Sequence, residues 1–159
     1  MKPFVSWGPD PEAQAVNAFS INWNNMLIYA FPPFSLVQKV LAKLERDQTQ
    51  AVLIVPNWPT AVWFPQMLRL LTQNPLILPK GKTVLHLHHS EAVHPLHRKL
   101  QLLAVMCSGK PYMLKEYQEK LVKLCVHPGD QRHNSSIAHT SSGGNFFALN
   151  EKLIPFVHL

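Results

Sequence analysis

Three observations predict an α/β protein. A strand, a diproline and an amphipathic helix follow one another over residues 25–46. The continuous β-branched run Ala51-Val52-Leu53-Ile54-Val55 comes next, and such a run, buried on both faces, belongs to a parallel sheet. Strand-like and helical patterns then alternate up to residue 88, the β-α-β-α-β order of a sheet with right-handed crossovers. Beyond residue 89 the character changes. The expected organisation is a partial Rossmann-like sheet over 1–89, a helical segment over 90–125 and a flexible, loop-rich connector with a hairpin over 126–159.

Each element has its own local reason. Pro3-Phe4-Val5-Ser6-Trp7 reads as a short opening strand, ended by a Gly-Pro-Asp-Pro turn. Residues 13–19 read as a short helix. Asn25-Met26-Leu27-Ile28-Tyr29-Ala30 reads as a strand, and Ser35-Leu36-Val37-Gln38 as a capping box that opens the next helix. Leu36, Val37, Val40, Leu41 and Leu44 give that helix one apolar face. After the strand at 51–55, Pro56-Asn57-Trp58-Pro59-Thr60 forms a loop and residues 63–71 are helical in pattern. Leu76-Ile77-Leu78 and Thr83-Val84-Leu85-His86-Leu87 read as short strands. Residues 96–106 place Leu100, Leu102, Leu103 and Met106 on a helical face, and residues 113–124 do the same with Leu114, Tyr117, Leu121 and Leu124. Residues 127–144 are polar and read as a loop. Phe146-Phe147-Ala148-Leu149 and Lys152-Leu153-Ile154-Pro155 read as a hairpin around Asn150-Glu151, although that turn lacks the favoured glycine.

Bulk composition narrows the function classes. A chain of 159 residues is sized for one domain. Hydrophobic residues make up 47% and charged residues only 15%, so part of the apolar surface is expected to meet neighbouring modules. The net charge of +6 suits a polyanionic partner, but the positive charge is scattered and Arg98-Lys99 is the only adjacent basic pair. Cys107 and Cys125 lie in apolar, helix-like segments and read as buried free thiols. With no apolar leader and no run long enough to span a bilayer, the expected setting is intracellular, in nucleus or cytoplasm, without a membrane partner.

The candidate site is the tetrapeptide Phe31-Pro32-Pro33-Phe34, a stiff loop at the carboxyl end of a strand, where ligands bind in open α/β sheets. Trp58 and Trp63 follow the neighbouring strand. They read as closing an apolar pocket above the strand ends, with stacking on bases as the alternative. Metal chemistry finds little support. His86, His88, His89, His94 and His97 are clustered in sequence, but neither cysteine lies in a C-x-x-C. Between Asp47 and Glu91 no acidic residue occurs, which leaves two-metal chemistry without its converging carboxylates.

These residues also carry a resemblance. Phe4-Val5-Ser6-Trp7 with Pro9-Asp10-Pro11, Ala15-Val16-Asn17-Ala18-Phe19-Ser20 with Trp23, Tyr29-Ala30-Phe31-Pro32-Pro33-Phe34-Ser35, and Val55-Pro56-Asn57-Trp58-Pro59-Thr60 with Trp63-Phe64-Pro65 resemble the polyprotein of DIRS/Ngaro-type tyrosine-recombinase retroelements. Lys152-Leu153-Ile154-Pro155-Phe156 with His158-Leu159 is similar to the connector that precedes their recombinase. The resemblance covers nearly the whole chain and implies a segment between RNase H and recombinase. More remotely, the diproline loop resembles the D/N-P-P-Y/F loop of phage Dam-type adenine methyltransferases, which implies a methyltransferase-like sheet. In those enzymes a polar residue opens the loop, where Phe31 stands, and Asn17 occupies a position where an aspartate is expected. None of the six glycines forms a G-x-G turn after an apolar strand to admit a cofactor.

The expectation is therefore a non-catalytic fragment of a retrotransposon polyprotein, a structural connector between replication and integration modules. Its base-pocket-like residues, Phe31, Pro32, Pro33, Phe34, Trp58 and Trp63, are vestigial in that reading. It needs no catalytic residue, metal, cofactor or small-molecule substrate. Its partners are the flanking polyprotein modules and, weakly, nucleic acid. The alternatives are a nucleic-acid-binding module of the same polyprotein and a residual DNA adenine methyltransferase.

Overall fold

A computed structural model of the chain describes residues 4–6, 9–13, 15–80, 100–121 and 146–159. Val5–Ser6 (β1) pairs in parallel with Ala15–Val16 (β2). The helix expected over residues 13–19 does not form. Asn17 takes φ 66° and its Oδ1 accepts the Phe19 N–H at 3.0 Å, and the Ser20 hydroxyl donates to the Asn17 carbonyl at 2.8 Å. Asparagine tolerates the left-handed region and caps a turn with its own side chain, which competes with a helix.

Leu27–Ala30 (β3), a 3-10 turn at Phe34–Leu36, Val37–Arg46 (α1) and Gln50–Pro56 (β4) follow. β3 and β4 are parallel, with Leu27 opposite Gln50 and Ala30 opposite Leu53. As the spacing predicts, α1 buries Val37, Val40, Leu41 and Leu44. The capping box is absent, however. Leu36 holds the N-cap position without a side-chain hydrogen bond, and Ser35 is exposed inside the 3-10 turn. That turn is closed by backbone instead, the Leu36 N–H donating to the Pro33 carbonyl at 2.8 Å, so the hydroxyl is not needed as an acceptor.

Phe64–Arg69 (α2) and Leu76–Ile77 (β5) lead to Leu102–Ser108 (β6), Pro111–Lys120 (α3), the hairpin strands Phe146–Leu149 (β7) and Lys152–Pro155 (β8), and Val157–His158 (β9). The main sheet has five strands among the described residues, in the order β3-β4-β6-β5-β9. The α/β class holds, but the sheet is mixed. β6 lies antiparallel between β4 and β5, pairing Ala51 with Cys107, Leu53 with Val105 and Ile77 with Leu103. Residues 102–106, read as the end of a helix, are thus the start of a central strand. A short apolar run does not distinguish a period of 3.6 from a period of 2, and the partly exposed positions Ala104 and Met106 are apolar too, so no polar alternation marks the strand. Leu102, Leu103, Val105 and Cys107 are all buried, and burial pushes the Cys107 thiol up to about 12.

The helix read over 113–124 corresponds to α3, and the predicted hairpin pairs Phe147 with Ile154 and Leu149 with Lys152. Its turn residues Asn150 and Glu151 take φ 49° and 62°, the left-handed pair that a two-residue hairpin requires. Lys152 Nζ donates to the Gln118 carbonyl of α3. β9 adds in parallel to β5, and Ile154 and Phe156 are fully buried with Phe64, Met67, Leu71, Ile77 and Leu103. Each such side chain contributes about 1.5–3 kcal/mol by burial. Gly109 is required by a close approach, since a Cβ there would lie 2.1 Å from the Leu44 carbonyl oxygen at the end of α1. The strand read at 83–87, the loop at 127–144, Cys125 and the five clustered histidines fall outside the described residues. No helix among the described residues is long and apolar enough to cross a membrane.

Candidate functional site

Because β3 and β4 are parallel, their carboxyl ends open on the same edge of the sheet. Phe31-Pro32-Pro33 leaves β3 there, and Asn57-Trp58-Pro59-Thr60 leaves β4. The two prolines fix the first loop: Pro33 sits at φ −50°, ψ 140°, an extended conformation that the pyrrolidine ring favours. Pro32 is buried against the fold while Pro33 is exposed. This stiff support sets Phe34 against Trp58, with ring centroids 4.9 Å apart and planes at 75°. Phe31 packs on Phe34 as well, at 6.5 Å and 48°. Phe31 is 49% exposed and Trp58 42%, with Phe34 half-buried between them. Edge-on contact is a favourable ring arrangement, and it leaves the outer faces of the cluster turned to solvent.

Trp63 is placed elsewhere. It starts the turn into α2, is 7% exposed and packs on Phe64 at 5.8 Å. Phe64 continues to Phe147 at 5.0 Å, and Phe147 to Phe156 at 4.9 Å. Of the six residues singled out in the sequence, Phe31, Phe34 and Trp58 therefore come together as a surface cluster supported by Pro32 and Pro33, and Trp63 belongs to the core.

The polar surroundings have few anchors. The Asn57 N–H donates to the Gln101 carbonyl at 2.8 Å, but Asn57 Oδ1 is buried with no hydrogen-bond partner among the described residues. No carboxylate occurs from residue 13 to residue 44 or from 48 to 90, so the two site loops and the strands that carry them contain no negative charge. Among the described residues, no group of three or more His, Cys, Asp or Glu is placed to hold a metal ion.

Sequence reasoning missed a basic stripe on α1, the helix that follows the diproline loop. Lys39, Lys43 and Arg46 recur at i, i+4 and i+7 along α1, and the spacing itself was the available signal, since residues three and four apart share a helix face. Lys43 is buried, 2.7 Å from Asp47 Oδ2, and its Nζ lies 5.0 Å from the centroid of the Trp23 ring. Asp47 Oδ2 also accepts the Trp23 N–H at 3.0 Å, and Oδ1 accepts Arg46 Nε at 3.0 Å. The Lys43 hydrogen bond, resisted by burial and assisted by Trp23 and Arg46, lowers the Asp47 carboxyl to about 2. No family model, curated protein or solved structure matches the chain.

Proposed function

We propose that this chain is a non-catalytic module of a tyrosine-recombinase retroelement polyprotein, and that its working surface holds unpaired bases of nucleic acid. The observation that carries the binding part is the exposure of Phe31 and Trp58 around Phe34 at the carboxyl end of a parallel strand pair. Aromatic platforms stack on bases of any sequence, because every base offers a π face. The surrounding loops lack carboxylates that would repel phosphates, and the chain carries +6. The β3-α1-β4 unit with its diproline loop supports the methyltransferase-like, partial Rossmann-like part of the reading. Phe31 supplies no polar acceptor for a target amino group, and the sequence offers no glycine turn for S-adenosylmethionine, so no transfer step is assigned.

A second reading, a connector that only packs against flanking polyprotein modules, is favoured by the edge strand β3, where Leu27 is 66% and Tyr29 73% exposed. Fluorescence anisotropy with single-stranded and duplex oligonucleotides at two salt concentrations separates the two. The binding reading expects saturable, salt-sensitive association that prefers the single strand. Absence of binding at low salt leaves only the connector.

A further inference from the structure

Asn17 and Phe19, from the turn after β2, face Leu36, Lys39, Ala42, Lys43 and Arg46 of α1 and its preceding turn across a groove of about 800 Å³. That volume is within the range of small-ligand sites. No carboxylate lines it. Three cations do, and they are not equivalent. Lys43 is engaged by Asp47 and buried. Arg46 directs only Nε to Asp47 and its side chain is 70% exposed, which leaves further guanidinium donors for a ligand. Lys39 is exposed and has neither hydrogen bond nor ion pair among the described residues. The Asp47 carboxylate thus pairs with two cations of the stripe, the buried Lys43 and, through Nε alone, the exposed Arg46, while Lys39 is left to solvent. Phe19, 6.1 Å from the Trp23 ring and tilted to it, adds an aromatic wall.

The groove and the aromatic cluster are joined through one short turn of chain. Phe34 begins the 3-10 turn whose last residue, Leu36, lines the groove, and Arg46 closes α1. At about 1.5 Å per residue, the stretch from Phe34 to Arg46 spans about 18 Å. We propose that the groove grips the phosphates of the same unpaired nucleic-acid strand whose bases stack on Phe31, Phe34 and Trp58, with Lys39 and Arg46 as the two phosphate contacts. This inference rests on the nucleic-acid reading above. It adds a backbone-binding track beside the base platform and predicts that affinity divides into two separable parts, one aromatic and salt-insensitive, one cationic and salt-dependent.

The test is anisotropy with a labelled oligothymidylate of about 12 nucleotides, titrated between about 50 and 200 mM salt. The proteins are the unaltered chain, Lys39→Gln, the double variant Lys39→Gln/Arg46→Gln, and Trp58→Ala. On a single strand each lost phosphate contact lowers the slope of log affinity against log salt by about 0.7. The double variant is expected to lose about 1.4 of slope and about tenfold in affinity at low salt. Lys39→Gln alone is expected to lose about half of that slope, with an unchanged melting temperature, and so covers the case in which Arg46→Gln disturbs Asp47. Trp58→Ala is expected to weaken binding with the slope retained. If the unaltered chain binds and Trp58→Ala weakens it, but neither cation variant changes affinity or slope, the groove is overturned and the aromatic site stands. If the unaltered chain does not bind at low salt, both fall. If thymidine monophosphate binds as tightly as the oligonucleotide and Lys39→Gln abolishes it, the ligand is a free nucleotide and the strand track is overturned.

Discussion

The molecule contains two aromatic clusters built from the same residue types at opposite ends of the exposure scale. Trp63, Phe64, Phe147 and Phe156 form a chain of ring contacts, with Trp63, Phe64 and Phe156 all buried. Phe31, Phe34 and Trp58 also touch in series, yet about half of the two outer side chains stays in water. The difference lies in the backbone beneath. The buried cluster is contributed by the start of α2 and by the two arms leading through the hairpin, which come together from positions distant in sequence. The exposed cluster sits on the two segments that leave β3 and β4 at one sheet edge, supported by the prolines and by contacts among its own rings, outside the buried core. Aromatic content alone therefore does not separate core from surface; the element that delivers each ring does.

The largest expected effect tests the buried side. Phe156→Ala removes a side chain with no exposure from the centre of the core, and such a change costs about 3–5 kcal/mol. Urea denaturation with an unchanged m-value would measure it. A cost below about 1 kcal/mol would mean that residues 146–159 add little to the core, and the contrast between the clusters would collapse. Gly109→Ala tests the close approach of the β6–α3 turn to α1. With a Cβ only 2.1 Å from the Leu44 carbonyl, a shift of backbone is unavoidable, and the expected loss is about 1–3 kcal/mol.

The Lys43–Asp47 pair sharpens the comparison by marking where the core passes into the basic face of α1. The Asp47 carboxyl is lowered from 3.8 to about 2 in the folded chain, so the folded state binds fewer protons on this group than the unfolded one. Its stabilisation is complete above the unfolded value, falls as the pH drops below about 4, and is gone below about 2. Asp47→Asn is expected to flatten that part of the stability profile and to cost about 1–3 kcal/mol at neutral pH, as the charged hydrogen bonds to Lys43, Arg46 and the Trp23 N–H weaken. A series of urea midpoints between pH 2 and pH 5 reads it, and a variant with the same acid slope as the parent would refute the assignment. The smallest effect belongs to the hairpin that brings Ile154 into the core. Glu151 is held at φ 62°, and Glu151→Gly relieves that conformation, for an expected gain of about 0.5–1 kcal/mol in thermal unfolding. A loss would place the turn's importance in its side chain and not in its backbone.

Much of this was legible from residues alone, for identifiable reasons. β3, α1 and β4 announce themselves because a helix between two parallel strands needs a 3.6-residue apolar face, and Val37, Val40, Leu41 and Leu44 supply one. The hairpin is visible from two four-residue runs, although Asn150-Glu151 is an unfavourable turn that tertiary pairing enforces. β6 was not legible: its first six residues are all apolar, including the partly exposed Ala104 and Met106, and Leu102, Leu103 and Met106 fit helical spacing equally well. The missed antiparallel neighbour also hid the mixed sheet. At the site, the tetrapeptide and Trp58 could be placed at one sheet edge from the order of elements. Trp58 reads as a loop residue and Trp63 as the start of a helix, but both read as walls of one pocket, because a tryptophan's own residue type does not tell a half-exposed ring from a buried one. The basic stripe of α1 was overlooked because charge was read as runs along the chain and not as a helix face.

The central claim is that the exposed cluster serves binding and the buried cluster serves stability. Trp58→Ala tests it most directly, with melting temperature and single-strand affinity measured on the same sample. The account predicts a melting temperature close to that of the parent, since Trp58 is 42% exposed and lies outside the buried core, together with a loss of about 1–3 kcal/mol in binding. A protein that melts much earlier, or one that keeps its melting temperature and binds the oligonucleotide as tightly as before, would contradict it.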